Sequence, residues 1–429
     1  MRSEGPLRFP PGFLWGSAVS AHQTEGGNAN SDWWAHELAR GTTAHEPSGA
    51  ACDSYHRYRE DWGLAASSGQ NAVRFSIEWA RIEPAPGVFS TEALDHYRDV
   101  IGTARDLGLT PMVTLHHFTN PLWFAERGGW TSDDAPDVFG QYARAASVAL
   151  GDLWSMACTI NEPSVVSIVG HLMGYFPPQG TDLVTAHVVA ANLLRAHAAA
   201  ADAVRRSGAP AGPALSVNEF GAADSSPEAK RSRDYLRHWW VGMWIDALRT
   251  GRVTGLEIPD RQLPGLAGSS DFVGIQYYTG MVVGRGAEGA ARAALPVSRP
   301  DRDVPDAVRS PARRTQMAWA WYPDGLGLLL DDVATIGIPI YVTENGIATA
   351  DDDERIEFTA LHLERIHAAI ARGRDVGGYF YWSLLDNFEW NEGYRPTFGL
   401  VAVDRKTMQR TPKPSLTWYG GVARANALH

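Results

Sequence analysis

The stretch that decides the fold reads Pro339-Ile340-Tyr341-Val342-Thr343-Glu344-Asn345-Gly346. It begins with a proline, continues through apolar and β-branched residues, and ends on an acid followed by Asn-Gly. A run of this kind, closed by a turn dipeptide, predicts a short buried strand. An acid at the end of a buried strand is costly unless it is paired or has a chemical role. Glu344 is therefore a candidate functional residue.

A second stretch repeats the pattern: Leu153-Trp154-Ser155-Met156-Ala157-Cys158-Thr159-Ile160-Asn161-Glu162-Pro163. Here too an apolar strand ends on a glutamate, with Asn161 before it and Pro163 after it. Two carboxylates at the ends of two strands indicate acid–base or nucleophilic chemistry at one shared mouth.

Working outward, eight apolar segments alternate with helical patterns along the whole chain. The predicted strands cover residues 13–20, 72–79, 110–117, 153–162, 214–218, 271–278, 340–344 and 378–383. The helical patterns cover 54–68 (capped by Asp53), 91–108, 133–150, 181–206, 228–250, 324–335, 353–372 and the residues after Pro414. This alternation, without a linker, predicts an α/β fold: a single (β/α)8 TIM barrel over residues 1–429.

A doubly wound open sheet is the alternative architecture. It would require a glycine-rich phosphate turn after the first strand, and Gly26-Gly27 is a weak match to one. The stretch 280–314 is rich in Gly, Ala, Arg and Pro and has no clear period, so we interpret it as a long loop.

Composition narrows the classes of function. The 429 residues carry a net charge of −11, which disfavours nucleic acid and anionic membrane surfaces as partners. Cys52 and Cys158 lack metal-site spacing, and Cys158 is expected to be a buried free thiol. His36-Glu37 and His45-Glu46 are interpreted as solvated surface. We predict neither a metal nor a cofactor, and a cytoplasmic protein without a signal peptide or membrane span. Whether it forms a homo-oligomer stays open.

Further polar side chains fall at or just beyond the predicted strand ends, at the edge where barrel enzymes build their sites. They are Gln23, Arg74, His117, Asn161, Tyr278 and Glu389. Neutral donors, a few acids and one arginine suit the cleavage of a polyhydroxylated substrate by paired carboxylates. The competing interpretation of a lone strand-end glutamate is a structural ion pair.

The sequence resembles family 1 of the glycoside hydrolases, the retaining β-glucosidase family. The resemblance rests on five ordered motifs between about Phe13 and Tyr419. They are Phe13-Leu14-Trp15-Gly16 with Gln23 and Glu25-Gly26, Arg74-Phe75-Ser76-Ile77, Thr159-Ile160-Asn161-Glu162-Pro163, Tyr341-Val342-Thr343-Glu344-Asn345-Gly346, and Trp382-Ser383-Leu384-Leu385-Asp386-Asn387-Phe388-Glu389-Trp390.

The resemblance implies a role for each matched residue. Glu344 would be the nucleophile and Glu162 the acid/base, with Arg74 and Tyr278 hydrogen-bonding the nucleophile. The expected sugar-binding residues are Gln23, His117, Asn161 (on the 2-hydroxyl), Tyr278, Glu389, Trp390, Trp382 (beneath the ring) and Trp319 (on the leaving-group side). The structural alternatives are core packing for the two tryptophans at 382 and 390, and a core histidine at 117.

Two positions depart from the family pattern: Gln276 replaces the usual Asn, and Phe118 replaces the usual Trp. We expect the longer side chain of Gln276 to crowd the first sugar or to redirect a hydrogen bond. The implied activity is release of a terminal β-D-glucosyl residue from small, unphosphorylated β-glycosides, with galactosyl and fucosyl activity left open. The alternatives are a transglycosylating enzyme with a specialised aglycone and a catalytically silent sugar-binding barrel.

Overall fold

A computed structural model describes residues 5–255, 258–283 and 313–429. Its centre is a closed barrel of eight parallel strands, which confirms the predicted (β/α)8 fold. The strands are β1 Leu14–Ala18, β2 Ala72–Ser76, β3 Thr110–His116, β4 Met156–Asn161, β5 Ala211–Ser216, β6 Val273–Gln276, β7 Ile340–Asn345 and β8 Val376–Trp382.

Each strand pairs with the next in the sequence, and β8 closes the barrel against β1. Phe380 of β8 pairs with Gly16 of β1. A Cβ on Gly16 would lie 2.6 Å from the Phe380 ring, so the close contact at this seam requires glycine. Most predicted strands were too long at their carboxyl ends, because the polar residues that follow each strand belong to the loops of the mouth.

Eight main helices cover the outside of the barrel, one after each strand. They are α1 Ser54–Ser68, α2 Thr91–Asp106, α3 Ala135–Leu150, α4 Leu183–Arg205, α5 Pro227–Arg237, α6 Pro323–Val333, α7 Asp352–Ala371 and α8 Pro414–Ala425. Shorter helices in the loops cover Ala21–Thr24, Asp32–Leu38, Trp79–Ile82, Leu122–Glu126 and Pro163–His171.

The helix starts follow ordinary capping chemistry in several places. Asp182 accepts the backbone N–H of Thr185 at the start of α4, at 2.7 Å. The predicted cap of α1 is wrong in its chemistry: Asp53 adopts a left-handed conformation with φ 55° and makes no side-chain cap bond. Its carboxylate instead binds the side chains of His56 and Arg57.

The predicted helix 228–250 is interrupted. α5 passes into one π-helical turn, His238–Gly242, and the helix resumes over Met243–Thr250. The turn buries Trp239 and Trp240 side by side, and the wider winding places both indoles against the core.

Two layers of apolar packing hold the barrel together. The interior contains Met112, Met156, Cys158, Phe272 and Phe380 among its buried residues. A larger cluster fills the space between the strands and the surrounding helices. Cys158 is a buried free thiol, as predicted, and Cys52 is another.

Outside the barrel, Leu7–Arg8 pairs antiparallel with Ala427–Leu428, so residues from the two ends of the chain form one small ribbon. Other short strand pairs are Glu219–Ala222 with Gly280–Val283, Arg252–Gly255 with Ile258–Gln262, and Val401–Val403 with Arg410–Pro412. Most of the predicted 280–314 loop lies outside the described residues. Within the described ranges, no helix combines the length and apolarity needed to cross a bilayer.

Candidate active site

The structure places every predicted site residue at the carboxyl end of the barrel. Arg74, Asn161, Glu344 and Trp382 lie in the strands β2, β4, β7 and β8, and His117, Glu162 and Tyr278 lie one or two residues beyond β3, β4 and β6. Gln23 is in the short helix after β1, Trp319 lies in the segment before α6, and Glu389 and Trp390 follow β8. Contacts between neighbours join these side chains into one constellation.

Glu344 is held by three hydrogen-bond donors and is 4% exposed. Its Oε1 accepts from Arg74 Nη1 in a buried ion pair, and from Gln276 Nε2 at 2.7 Å. Its Oε2 accepts from the Tyr278 hydroxyl at 2.7 Å. Burial raises the pKa of Glu344, and the Arg74 charge and the Tyr278 hydrogen bond oppose that rise. The three donors fix the side chain, and Arg74 and Tyr278 limit the rise of its pKa without reversing it.

Asn161 shares the same donors. Its Oδ1 accepts from Arg74 Nη2 at 2.5 Å and also from Gln276 Nε2. Its Nδ2 lies 3.2 Å from His117 Nε2. Burial and then the Arg74 charge lower the pKa of His117 well below its usual range, so the ring is neutral and accepts from Asn161. The Gln276 amide binds both Glu344 and Asn161; that its extra length crowds the first sugar or redirects a hydrogen bond stays a prediction.

Glu162 is half-buried and follows β4 with φ 44° and ψ 59°. The Ser216 hydroxyl at the end of β5 hydrogen-bonds its carboxylate. Burial, and next the negative charge of Glu344, raise the pKa of Glu162 from 4.5 to about 8. Ser216 and, more weakly, Arg74 lower the pKa of Glu162. At neutral pH Glu162 thus carries a proton next to a carboxylate that is paired with arginine.

The opposite wall of the mouth combines an amide, a third acid and an indole. Gln23 Nε2 donates to Glu389 Oε2 at 3.3 Å and to the Phe388 carbonyl at 2.8 Å. Trp382 hydrogen-bonds Glu389 as well. Burial and then the charge of Glu344 raise the pKa of Glu389 to about 8. This wall presents several hydrogen-bonding groups.

Aromatic rings line the rest of the mouth. The His117 ring lies nearly parallel to those of Trp382 and Trp390, with centroids 5.9 and 6.0 Å away. Trp319 packs against Tyr278 at 5.4 Å and so lies beside the hydroxyl that binds Glu344. Trp382 is 3% exposed and Trp390 is 6% exposed, so both also pack in the core.

A buried contact between a histidine and a glutamate behind Trp390 was missed by the sequence analysis. His22 stacks on the Trp390 indole at 5.5 Å and lies 2.6 Å from Glu37. Glu37 also accepts the backbone N–H and the hydroxyl of Ser48. The interpretation of His36-Glu37 as solvated surface is therefore wrong, since both residues are buried. The available signal was the spacing of Glu37 four residues after Trp33, which places the acid on the same helix face as an apolar ring.

The backbone of the mouth is conformationally unusual. Phe118, Glu162, Ala318 and Trp390 adopt positive φ angles of 69°, 44°, 60° and 47°. Left-handed conformations are unfavourable for residues with a Cβ and collect at functional sites. The side chains of this region are thus aimed by a backbone that the surrounding packing holds in place.

In the part of the chain that the structure describes, no group of three His, Cys, Asp or Glu side chains is arranged to hold a metal ion. The arrangement does offer a fixed carboxylate, a protonated carboxyl group next to it, and a surrounding set of hydrogen-bonding and aromatic groups. These parts can support nucleophilic attack together with proton transfer.

The comparisons with known proteins agree with this geometry. The family model described as glycosyl hydrolase family 1 matches residues 6–428. "Beta-glucosidase A" of Thermotoga maritima is 34% identical, over 98% of this chain and 99% of its own length. The solved "beta-glycosidase from Pyrococcus horikoshii" has a TM-score of 0.91 and 37% identity, over 99% of this chain and 97% of that one.

A second solved structure is the Thermotoga maritima family 1 glycoside hydrolase complexed with a cyclophellitol analogue described as a transition state mimic. It has a TM-score of 0.90 and 33% identity, and the match covers 99% of this chain and 100% of the other. These likenesses extend over nearly the whole chain and confirm the resemblance that the five motifs indicate. The chain belongs to glycosyl hydrolase family 1.

Proposed function

We propose that this protein is a retaining β-glycosidase in which Glu344 is the nucleophile and Glu162 the acid/base. One observation supports these roles above all. Two neighbouring carboxyl groups lie in environments that separate their protonation states: Glu344 is ion-paired with Arg74, whereas the pKa of Glu162 is raised to about 8. Retaining hydrolysis needs one ionised and one protonated carboxyl group at the start.

In the first step, Glu344 attacks the anomeric carbon and Glu162 gives its proton to the departing oxygen. Forming the ester removes the negative charge of Glu344, and the pKa of Glu162 falls because that charge is its second-largest cause. Glu162 then accepts a proton from water as the water attacks the anomeric carbon. One residue can therefore serve as acid and then as base.

The remaining side chains would bind the sugar. We assign Asn161 to the 2-hydroxyl, because its Nδ2 is directed away from Arg74 and Gln276. The other proposed sugar contacts are Gln23, His117, Tyr278, Trp382, Glu389 and Trp390, with Trp319 on the leaving-group side. Arg74 and Tyr278 orient the nucleophile.

We propose a β-D-glucosyl residue as the preferred glycone, since the "Beta-glucosidase A" relative carries that name. Galactosides and fucosides are tested alongside it, and products formed with an added alcohol show whether glycosyl transfer competes with hydrolysis. We further propose that residues 1–429 act as one catalytic domain. Cytoplasmic location and oligomeric state stay predictions.

A mechanism-based label tests the two roles. A 2-deoxy-2-fluoro-β-glucoside with a good leaving group should inactivate the protein, and peptide mapping should place the sugar on Glu344. Glu78→Gln is the matched control, because Glu78 is a buried acid bonded to Thr119 outside the constellation and its loss should leave labelling intact. A label on any other residue contradicts the assignment.

A further inference from the structure

Gln276 is the last residue of β6, between the strands that lead to the two carboxylates. It pairs in register with Ser216 of β5 and with Glu344 of β7. Its side chain is fully buried. The amide nitrogen donates one proton to Glu344 Oε1 and the other to Asn161 Oδ1. Both protons of this NH2 group are therefore committed to residues of the proposed reaction.

The orientation of this amide is set by its partners. If the amide were turned over, its oxygen would face two other oxygens, those of Glu344 and Asn161, and would be repelled by both. Its own carbonyl oxygen finds no hydrogen-bond donor within the described ranges. The two acceptors, rather than any partner of the carbonyl, determine how Gln276 lies.

The contacts of Gln276 distinguish the two oxygens of Glu344. Oε1 accepts from Arg74 and from Gln276, which uses both of its lone pairs, whereas among the described residues Oε2 accepts only from Tyr278. Oε2 therefore keeps a lone pair for the anomeric carbon. In the glycosyl ester, Oε2 bonds to that carbon and Oε1 becomes the carbonyl oxygen facing Arg74 and Gln276.

This asymmetry affects the two halves of the reaction in opposite directions. A donor on Oε1 stabilises the charged carboxylate more than the neutral ester. The donor therefore slows the attachment of the sugar to Glu344, because attachment removes the charge that the donor stabilises. It favours the return of the electron pair to the carboxylate when water displaces the sugar and Glu162 takes the water's proton.

Resting on the proposed function, we propose that Gln276 is a positioning residue that favours release of the sugar from Glu344 over its attachment. Through the same amide it holds Asn161 with its nitrogen towards the sugar. Gln276, at a position that departs from the family's usual Asn, thus donates a hydrogen bond to the nucleophile itself.

Gln276→Met tests this, because methionine has a similar length and lacks the donor. With a dinitrophenyl β-glucoside, the wild-type kcat reports release of the sugar and kcat/KM reports its attachment. Losing a hydrogen bond to a charged group destabilises the departing carboxylate, so we expect kcat to fall about tenfold or more. We expect kcat/KM to be unchanged or to rise by up to about threefold, because attachment no longer has to overcome that hydrogen bond. The pre-steady-state burst should approach one product per enzyme.

The acidic limb of the pH profile of kcat/KM is a second measurement. It would not shift if Gln276 only maintained the shape of the site. Losing a donor should raise the pKa of Glu344 and shift that limb to higher pH. Glu344 is also faced by Arg74, Tyr278, Glu162, Glu389 and Cys158, all of which stay unchanged in the variant.

Gln276→Asn is the second variant: it keeps an amide but withdraws it by one methylene, so a smaller shift of the acidic limb is expected. Gln70→Met is the matched control for replacing a buried glutamine, because Gln70 bonds Ser68 far from the mouth. Equal losses in kcat and kcat/KM with an unmoved acidic limb would overturn the role of Gln276. If the wild-type protein is labelled at Glu344, the proposed function holds even where the role of Gln276 fails.

Discussion

Replacing Glu344 by Gln keeps its shape and removes the charge that acts on Glu162. Burial and then that charge raise the pKa of Glu162 from 4.5 to about 8. We expect the pKa of Glu162 to fall in the variant. Arg74 would act in the same direction, because it loses the carboxylate with which it forms an ion pair.

The size of the fall in the pKa of Glu162 follows from the distance between the two carboxyl groups. Carboxyl groups in retaining enzymes lie about 5.5 Å apart, where two unit charges repel by about 3 kcal/mol at an effective dielectric constant of about 20. That energy corresponds to about 2 pH units. Burial, the larger cause of the raised pKa, remains in the variant. We therefore expect a fall of about 1 to 2 pH units.

Carbon-13 NMR of the carboxyl groups measures the pKa of Glu162 and does not require an active protein. The Glu162 resonance is identified by its loss when Glu162→Gln is added to each protein. Glu389→Gln serves as the control, because the charge of Glu389 has the smallest of the named effects on Glu162 and should produce a smaller fall. An identical titration midpoint with and without the charge of Glu344 would refute the coupling.

Three further predictions concern catalysis and stability. The first step needs protonated Glu162, so kcat/KM should decline as pH rises through about 8, and a profile flat through that range would contradict the role. Tyr278→Phe removes the hydroxyl that orients Glu344 Oε2 towards the anomeric carbon, and this loss of orientation should lower kcat/KM about tenfold in steady-state kinetics; an unchanged value would exclude the contact from catalysis. His22→Leu leaves the buried Glu37 carboxylate without its ring partner and should lower the free energy of unfolding by about 3 kcal/mol in urea titrations, whereas a loss under about 1 kcal/mol would show that Ser48 suffices.

The sequence allowed the fold and the central chemistry to be predicted because both depend on local patterns. A buried apolar run that ends on an acid is visible without any knowledge of the partner strand, as at Glu344 and Glu162. The same holds for the alternation of strands and helices. The exact strand ends are less visible, because a polar residue such as His117 can either continue a strand or begin a loop.

The contacts that the sequence did not predict join residues that are distant in the chain and meet only in the folded barrel. Gln276 departs from a motif, but its two acceptors come from β4 and β7 and are fixed only by the closed sheet. His22 and Glu37 are likewise joined by the folding of a loop over Trp390. The π-helical turn after α5, which buries Trp239 and Trp240, is not revealed by a helical period.

The left-handed residues of the mouth also bear on how this protein would respond to selection for heat resistance. At Ala318 no large side chain opposes replacement, and Ala318→Gly would relieve a conformation with φ 60°. At Glu162 and Trp390 the same relief would remove a side chain of the proposed site, and at Phe118 it would remove a ring that packs against Trp390. Stability gained at those three positions would therefore come at the expense of turnover, and thermostabilising changes that preserve turnover should accumulate in the outer helices and at the far end of the barrel.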